Sequence, residues 1–273
     1  MSRDEGSGRA DSGSAVRRSL QLMWGGAPEP TRGPKPGLTV GTIVRAAIDL
    51  ADAEGLVALS MRRIAGALGV GAMSLYRYVP GKAELVDLMV DEAYGEDIAV
   101  AAPVKGDWRA RLEAFGRQEW ALYLRHPWML QIAQGRPMLG PNSMRSTDIA
   151  LRAIDEIGLT EDEMLAAVVT LSSFVSGLAK TTIEAMQAAD RTGISDEEWW
   201  EIQGEYVGPA VVAGELPMLT KVGEAGAFNS SFDNFEFGLQ RVLDGLGVLI
   251  VGRRETAAPE QAPVEPVGPP AGG

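Results

Sequence analysis

The chain has 273 residues, enough for one large domain or two ordinary ones with a sizeable hydrophobic core. It contains no cysteine and one histidine, His126, which excludes a disulfide scaffold, thiol catalysis and a histidine cluster for a transition metal. We therefore expect neither a metal nor another cofactor. The formal net charge is −12, but residues 1–83 carry 11 Lys/Arg against 7 Asp/Glu, whereas residues 84–273 carry 14 against 30.

This basic front on an acidic remainder is typical of proteins whose basic part binds nucleic acid, although unequal halves also occur in proteins that are merely soluble. The first residues are polar and include Arg3, Asp4 and Glu5, so we expect no secretory or transit peptide and a cytoplasmic location. The longest uncharged run, from Met164 to Ala179, is shorter than the roughly 20 residues of a bilayer span. We predict no membrane association.

Both ends of the chain are predicted to be disordered. Residues 1–37 are rich in Gly, Ser, Pro and Arg and are expected to form a disordered basic arm. Within this arm, four apolar residues recur at helical spacing and predict a brief amphipathic turn, with a plain coil as an equal alternative: Val16, Leu20, Met23 and Trp24. Residues 256–273 contain five prolines in eighteen positions and are expected to be a solvated, Pro-rich tail.

Between these ends the apolar periodicity is helical almost throughout, with no convincing alternating strand and no internal repeat. We predict an all-α protein. Thr39 caps the first helix of this central region, and Gly55 supplies its left-handed stop. The apolar stripe of that helix consists of Val40, Ile43, Val44, Ala47, Ile48 and Ala51.

A second, short helix is predicted between Ser60, which caps it, and Gly69. Pro80 interrupts the chain again before a helix that runs from about residue 82 to 100. These helices and their short connections predict a compact three-helix unit at residues 38–84, called the head below, followed by a connecting helix.

The remaining ordered region, residues 85–255, is called the body below. Helices are predicted near residues 108–124, 126–134 and 142–157, and Thr160 with Glu163 forms a capping box for a helix to about Arg191. Two heptad-like patterns stand out in the long helix and in the last helix: Met164, Val168, Leu171, Val175, Leu178 and Thr182, and then Phe228, Phe232, Phe235, Leu239, Val242, Leu246 and Leu249. Such spacing predicts packing in a bundle, either within one chain or between two copies.

The segment LSMRRIAGALGVGAMSLYRYVPGKAEL, residues 59–85, satisfies the demands of a helix-turn-helix. Ala65 is small enough for a close helix crossing, and Gly69 suits the turn. The two helices are locked by Ile64, Leu68, Val70, Leu75 and Val79. The same residues would also suit any helical hairpin.

This segment resembles the tetracycline-repressor (TetR) family of transcriptional regulators. S-M-R-R-I-A-G-A-L-G-V is similar to the family's second helix, G-A-M-S-L-Y-R-Y-V-P-G-K to its recognition helix, and A-E-L-V-D-L-M to the start of its connecting helix. The resemblance covers residues 39–90, and weaker similarity continues at D-W-R, R-H-P-W and F-x-F-G-L-x-x-V-L-D-G-L. It implies an N-terminal three-helix helix-turn-helix DNA-binding domain, joined by the connecting helix to a helical ligand-binding and dimerisation domain.

The function implied is a repressor that a small-molecule effector releases from a palindromic operator in double-stranded DNA. Alternative interpretations are an activator of the same fold, a regulator without a ligand and, remotely, an all-α enzyme. Adjacent carboxylates such as Asp155 and Glu156 point in different directions on a helix, which disfavours acid–base catalysis. The resemblance also favours pairing of the last two long helices with their copies in a homodimer.

The DNA-binding residues follow from this resemblance and from contact chemistry. Arg62 is the best candidate for a bidentate contact with guanine, Met73 offers apolar contact to thymine methyls, and Lys82 suits a phosphate. One of the two tyrosines is expected to contact a phosphate while the other packs. The full predicted set is Ser60, Arg62, Arg63, Ala72, Met73, Ser74, Tyr76, Arg77, Tyr78 and Lys82. A solvated face is the alternative for the two arginines, and four cations of the arm are candidates for backbone contacts: Arg17, Arg18, Arg32 and Lys35.

By the same resemblance, the segment 108–178 encloses the effector site. Aromatic and methionine side chains suit a mostly apolar ligand, and a few polar groups orient it. The candidates, each of which also suits plain core, are Trp120, Met129, Gln134, Arg136, Met144 and Phe174. Ile132 stands where the family's namesake has a metal-ligating histidine, so a magnesium-bound tetracycline is disfavoured.

Overall fold

The computed structural model describes residues 5–25, 38–100, 106–132, 139–229 and 231–257, and within these ranges the chain is helical, without strands. The all-α prediction is confirmed. The α-helices are α1 (Glu5–Trp24), α2 (Val40–Glu54), α3 (Met61–Ala67), α4 (Ala72–Leu75), α5 (Lys82–Val100), α6 (Trp108–Arg125), α7 (Pro141–Ala153), α8 (Glu161–Met186), α9 (Ala188–Thr192), α10 (Asp196–Val212), α11 (Pro217–Glu224) and α12 (Asn234–Ala257).

The head consists of α2, α3 and α4 packed around one apolar core. The Thr39 side chain accepts a hydrogen bond from the Thr42 amide and begins α2, whose predicted stripe is buried except at Val40. Ser60 caps α3 in the same way, and Gly69 adopts the left-handed conformation (φ 65°) required between α3 and α4. Ala65 is buried where the two helices meet. The head therefore has the predicted helix-turn-helix geometry.

The connecting helix α5 links the head to the body. It packs against α2 of the head, against α7 of the body and against α1. Leu85, Met89 and Ala93 are fully buried and lie on one face at spacings of four residues. One helix therefore contacts both the head and the body.

The body is built around α6, α8 and α12, which pack against one another. Both heptad-like patterns point partly into this core: Leu171, Val175 and Leu239 are fully buried within a single chain. These three positions therefore pack within one chain, whereas Phe228, Phe232 and Leu249 of the second pattern are exposed. Among the described residues, α8 is the one helix long and apolar enough to cross a membrane, and here it packs on α6 and α12.

The expected disorder of residues 1–37 is wrong for Glu5–Trp24, which form α1 on the surface of α5. Arg18 Nε donates to Glu84 Oε1 at 2.8 Å, and Ser19 Oγ donates to Asp87 Oδ2 at 2.6 Å. Trp24 Nε1 donates to the Leu139 carbonyl at 2.8 Å. Local composition disfavours a helix here, but partners 65 or more residues away along the chain stabilise it. The predicted contact residues Arg32 and Lys35, and the tail beyond residue 257, lie outside the described residues.

Replacing Arg18 with alanine will lower the free energy of unfolding by about 1 kcal/mol, since the half-exposed guanidinium screens a nearly buried Glu84 carboxylate. Chemical denaturation at constant protein concentration measures the loss. The adjacent Arg17→Ala is the matched control, because Arg17 is exposed and its removal should change stability by less than about 0.5 kcal/mol. Equal effects of the two substitutions would show that α1 does not dock through Arg18.

Candidate nucleic-acid interface and effector cavity

The head carries exposed basic, aromatic and apolar side chains on α3, on α4 and on the turn after α4. Arg62 and Arg77 are exposed, Met73 is 76% exposed and Tyr76 is 44% exposed. Ala72 and Ser74 are half-buried at the start of α4. An exposed methionine and tyrosine beside two arginines have the chemistry to contact base edges and phosphates.

Two predicted DNA contacts are engaged within the head. The Arg63 guanidinium donates to the Glu54 carboxylate of α2, and this hydrogen bond lowers the pKa of Glu54. Lys82 Nζ donates to the Leu56 carbonyl at 3.2 Å. Both cations are exposed, and each joins two segments of the head: Arg63 links α3 to α2, and Lys82 links α5 to the turn after α2.

The two predicted tyrosines differ in position. Tyr78 is 7% exposed and lies in the core of the head. Among the described residues, its buried hydroxyl has no hydrogen-bond partner. Tyr76 is therefore the tyrosine at the surface, and Tyr78 packs, as expected for one of the pair.

The body contains a small cavity between α5, α6 and α7. Its volume of about 10 Å³ is the space of a single water molecule, and its lining residues are Tyr94, Phe115, Gln118, Glu119, Leu122 and Ser146. Glu119 is buried, and Ser172 Oγ of α8 donates to its Oε2 at 2.8 Å. Burial raises the pKa of Glu119 to about 7, against the opposing effect of the Ser172 hydrogen bond.

Sequence reasoning missed Glu119, although a signal for it exists. Glu119 lies between Phe115 and Leu122 at spacings of four and three residues, so it occupies an apolar position of α6. When the apolar stripe of α6 packs into the core, a carboxylate within that stripe is buried together with it. Burial also raises the pKa of the nearby Tyr94, and the Glu119 charge adds to that shift.

The predicted effector-site residues do not line this cavity. Trp120 stacks on Phe235 of α12 with ring centroids 4.3 Å apart, and Phe174 lies 6.4 Å from the same ring, so both belong to the α6–α8–α12 core. Met129 is buried in the 3₁₀ helix Pro127–Gln131, and Met144 is partly exposed on α7. Gln134 and Arg136 lie outside the described residues.

Within the part of the chain that the structure covers, no three acidic or histidine side chains are grouped for a metal.

The first turn of α7 is bound to the connecting helix. The buried Asp91 carboxylate of α5 accepts hydrogen bonds from the amides of Asn142 and Ser143 at 3.0 and 2.9 Å. Gly140 precedes this helix, and a Cβ there would lie 2.1 Å from Asp91 Oδ1. Only glycine permits this close approach. Because Gly140 has no side chain to cap α7, the Asp91 carboxylate of α5 caps that helix instead.

A second connection joins the head to the body around His126. His126 Nδ1 lies 2.8 Å from Asp52 Oδ1 of α2, and its Nε2 lies 3.1 Å from Glu96 Oε2 of α5. Trp128 Nε1 also donates to Asp52 Oδ1, at 2.7 Å. Because the imidazole is only 2% exposed, this network fixes the position of α2 relative to α5 and to the end of α6.

The far side of the body exposes apolar surface that a single chain leaves uncovered. Leu165 and Val169 of α8 are about half exposed, as is Phe237 of α12, and Val248 is 75% exposed. The helices α10 and α11 have no buried residue and enclose a groove of about 420 Å³, which is lined largely by apolar side chains. Large apolar side chains exposed in such number are typical of a protein–protein interface.

Two family models match the chain. The model described as "Bacterial regulatory proteins, tetR family" matches residues 43–89, and the one described as "Tetracyclin repressor-like, C-terminal domain" matches residues 101–250. The first match ends within α5, and the second begins directly after that helix.

Relatives and solved structures extend this similarity over most of the chain. The chain is 46% identical over 259 residues to the HTH-type transcriptional repressor DrrR1 of Streptomyces coeruleorubidus, covering 93% of this chain and 96% of that protein. Apo ActR from Streptomyces coelicolor is 30% identical with a TM-score of 0.62, covering 82% of this chain and all of ActR. ActR in complex with actinorhodin is 31% identical, also with a TM-score of 0.62, over 80% and 99% of the two chains.

Proposed function

The chain belongs to the TetR family of transcriptional regulators and is a ligand-responsive DNA-binding repressor, and from this premise we propose which residues read DNA and how the body releases it. The observation that carries the proposal is that Arg62, Met73, Tyr76 and Arg77 are all exposed on α3, α4 and the turn after α4, within the basic residues 1–83 of a chain whose remainder is acidic. The head enters the DNA groove, and the body remains outside.

Arg62 reads a base, and its neighbours position the head. Its guanidinium is exposed beside the short α4, where a bidentate contact to guanine O6 and N7 is the strongest specific contact that an arginine makes. Met73 contacts a thymine methyl, while Tyr76 and Arg77 contact phosphates. Arg63 and Lys82 form hydrogen bonds with other residues of the head, so their effect on DNA binding is indirect.

The dimer carries two heads on one rigid body. The exposed apolar face formed by Leu165 and Val169 of α8 with Phe237 and Val248 of α12 pairs with its copy around a twofold axis. Two heads then meet successive major grooves, and the operator is an imperfect palindrome with half-sites about 34–36 Å apart. The −16 charge of residues 84–273 keeps the body away from DNA.

Effector binding in the body changes the separation of the two heads. The signal passes from α7 to Asp91 of α5, and from α5 to α2 through Glu96, His126 and Asp52. Coupling of this kind amounts to about 1–3 kcal/mol. We further propose that the protein acts in the cytoplasm, where its operator lies, and that it catalyses no reaction.

Replacing Arg62 with alanine will weaken binding to the operator by about 1–3 kcal/mol per half-site and relax the preference for one base pair in each half-site. Selection of bound sequences from random DNA identifies the operator, and fluorescence anisotropy of labelled duplexes then measures both effects. Tyr76→Phe is expected to weaken all sequences to the same extent, since a phosphate contact carries no base information.

Arg63→Ala is the matched control for this experiment. It removes a guanidinium from the next position of the same helix, but one that is bound to Glu54. We expect the base preference to be unchanged. If instead Arg62→Ala leaves base preference and affinity intact, Arg62 does not read the operator.

A further inference from the structure

Glu119 is a buried carboxyl group without a cation to balance it. Its Oε2 accepts the Ser172 hydrogen bond, and no arginine, lysine or histidine pairs with it among the described residues. A desolvated carboxylate destabilises the folded protein unless a positive charge or several hydrogen bonds compensate for it. At the wall of the cavity, this carboxyl group is therefore available to a cationic partner that the described residues do not supply.

We propose that Glu119 determines the specificity of the effector site and selects a ligand that joins a protonated nitrogen to a flat apolar body. The inference rests on the proposed function, because it names the chemistry of the effector that the body recognises. The cation would bind the Glu119 carboxylate while Ser172 holds that carboxylate in place.

The surroundings of Glu119 fit a cation better than a neutral or anionic ligand. Tyr94 and Phe115 line the same cavity, and the face of an aromatic ring attracts a positive charge and stacks on a flat molecule. A ligand carboxylate or phenolate would meet the like charge of Glu119 in a site of low dielectric constant. A neutral ligand would leave Glu119 in its protonated, uncharged form and would form no ion pair with it.

A ligand larger than one water must widen the cavity, and we place this opening at α7, because of the three helices that line the cavity it buries the smallest side chains. It contributes Ser146 to the lining, yet it buries only Ala150 and Ala153, both small. Displacement of α7 pulls directly on Asp91, which holds its first turn to α5. Recognition by Glu119 is thereby connected to the helix that positions the head.

The test compares two probes that differ mainly in charge. 9-Aminoacridine is a cation near neutral pH, whereas acridine is a flat aromatic molecule of similar size that is largely neutral there. Titration of the full-length dimer, followed by probe fluorescence, should show 9-aminoacridine binding at least about tenfold more tightly than acridine, the difference expected for a charge-assisted hydrogen bond in a desolvated site. Glu119→Gln should remove this preference, and Ser172→Ala should reduce it.

Glu184→Gln is the matched control, because Glu184 is an exposed carboxylate on α8. It should leave both affinities unchanged. Equal binding of the two probes, absence of binding by 9-aminoacridine, or a preference that survives in Glu119→Gln would overturn the inference. Operator binding by the same ligand-free preparation tests the proposed function separately, so the two failures are distinguishable.

Discussion

Replacing Asp91 with alanine will lower the free energy of unfolding by about 2 kcal/mol, because two amides at the start of α7 lose their shared charged acceptor. The amides of Asn142 and Ser143 have no other capping side chain, since Gly140 stands at the N-cap position. Chemical denaturation measures the loss. In Asp91→Ala, hydrogen exchange resolved by residue should be faster than in the wild type at these two amides, while exchange at the amides of α8 should change less.

Two further variants of α5 make this result specific. Asp91→Asn keeps a carbonyl oxygen for the two amides but removes the negative charge, so about half of the stability should be retained. Glu92→Ala removes the adjacent, more exposed carboxylate, whose closest approach to Arg45 is 3.7 Å, and should cost less than about 0.5 kcal/mol. Exchange at Asn142 and Ser143 that is as slow in Asp91→Ala as in the wild type would show that Asp91 does not cap α7.

Replacing Glu119 with glutamine will make the ligand-free protein more stable above neutral pH. Burial raises the pKa of Glu119 from 4.5 to about 7, so the folded protein retains a proton that the unfolded chain has already lost. In the wild type, the stability contributed by the protonated form is fully present below about pH 4.5 and is lost as the pH rises through about 7. Glutamine carries no charge to desolvate and can still accept the Ser172 hydrogen bond.

The expected gain is about 3 kcal/mol near pH 8, which corresponds to a rise in melting temperature of roughly 6–12 °C for a chain of this size. Near pH 5 the two proteins should melt at almost the same temperature, because Glu119 is protonated in the folded wild type. Thermal unfolding at a fixed protein concentration measures both values. A melting-temperature difference that is independent of pH would show that Glu119 is not desolvated.

The head could be predicted almost completely from the sequence, because its structure depends on local signals. Caps at Thr39 and Ser60, the left-handed turn at Gly69 and the apolar stripe of α2 all lie where the residues indicated. The family resemblance supplied the function, and the surface positions of Arg62 and Tyr76 agree with the expected interface.

The effector region was predicted less well, since its candidates were chosen by residue type. Trp120 and Phe174 are aromatic, but they face α12, whereas Glu119 faces the cavity. Which side of α6 meets which neighbour depends on the packing of α5, α7 and α8 together. Composition along one helix contains little information about that arrangement.

The sequence by itself determined the helices of the head, their caps and turn, and the division into a basic front and an acidic remainder, because turn residues, caps and periodicity act over a few residues. Only the tertiary structure decided that α1 docks on α5, that the stripes of α8 and α12 bury each other, and that Asp91 caps α7. Each of these contacts joins residues at least 50 positions apart, and their free energy arises only once the helices have packed.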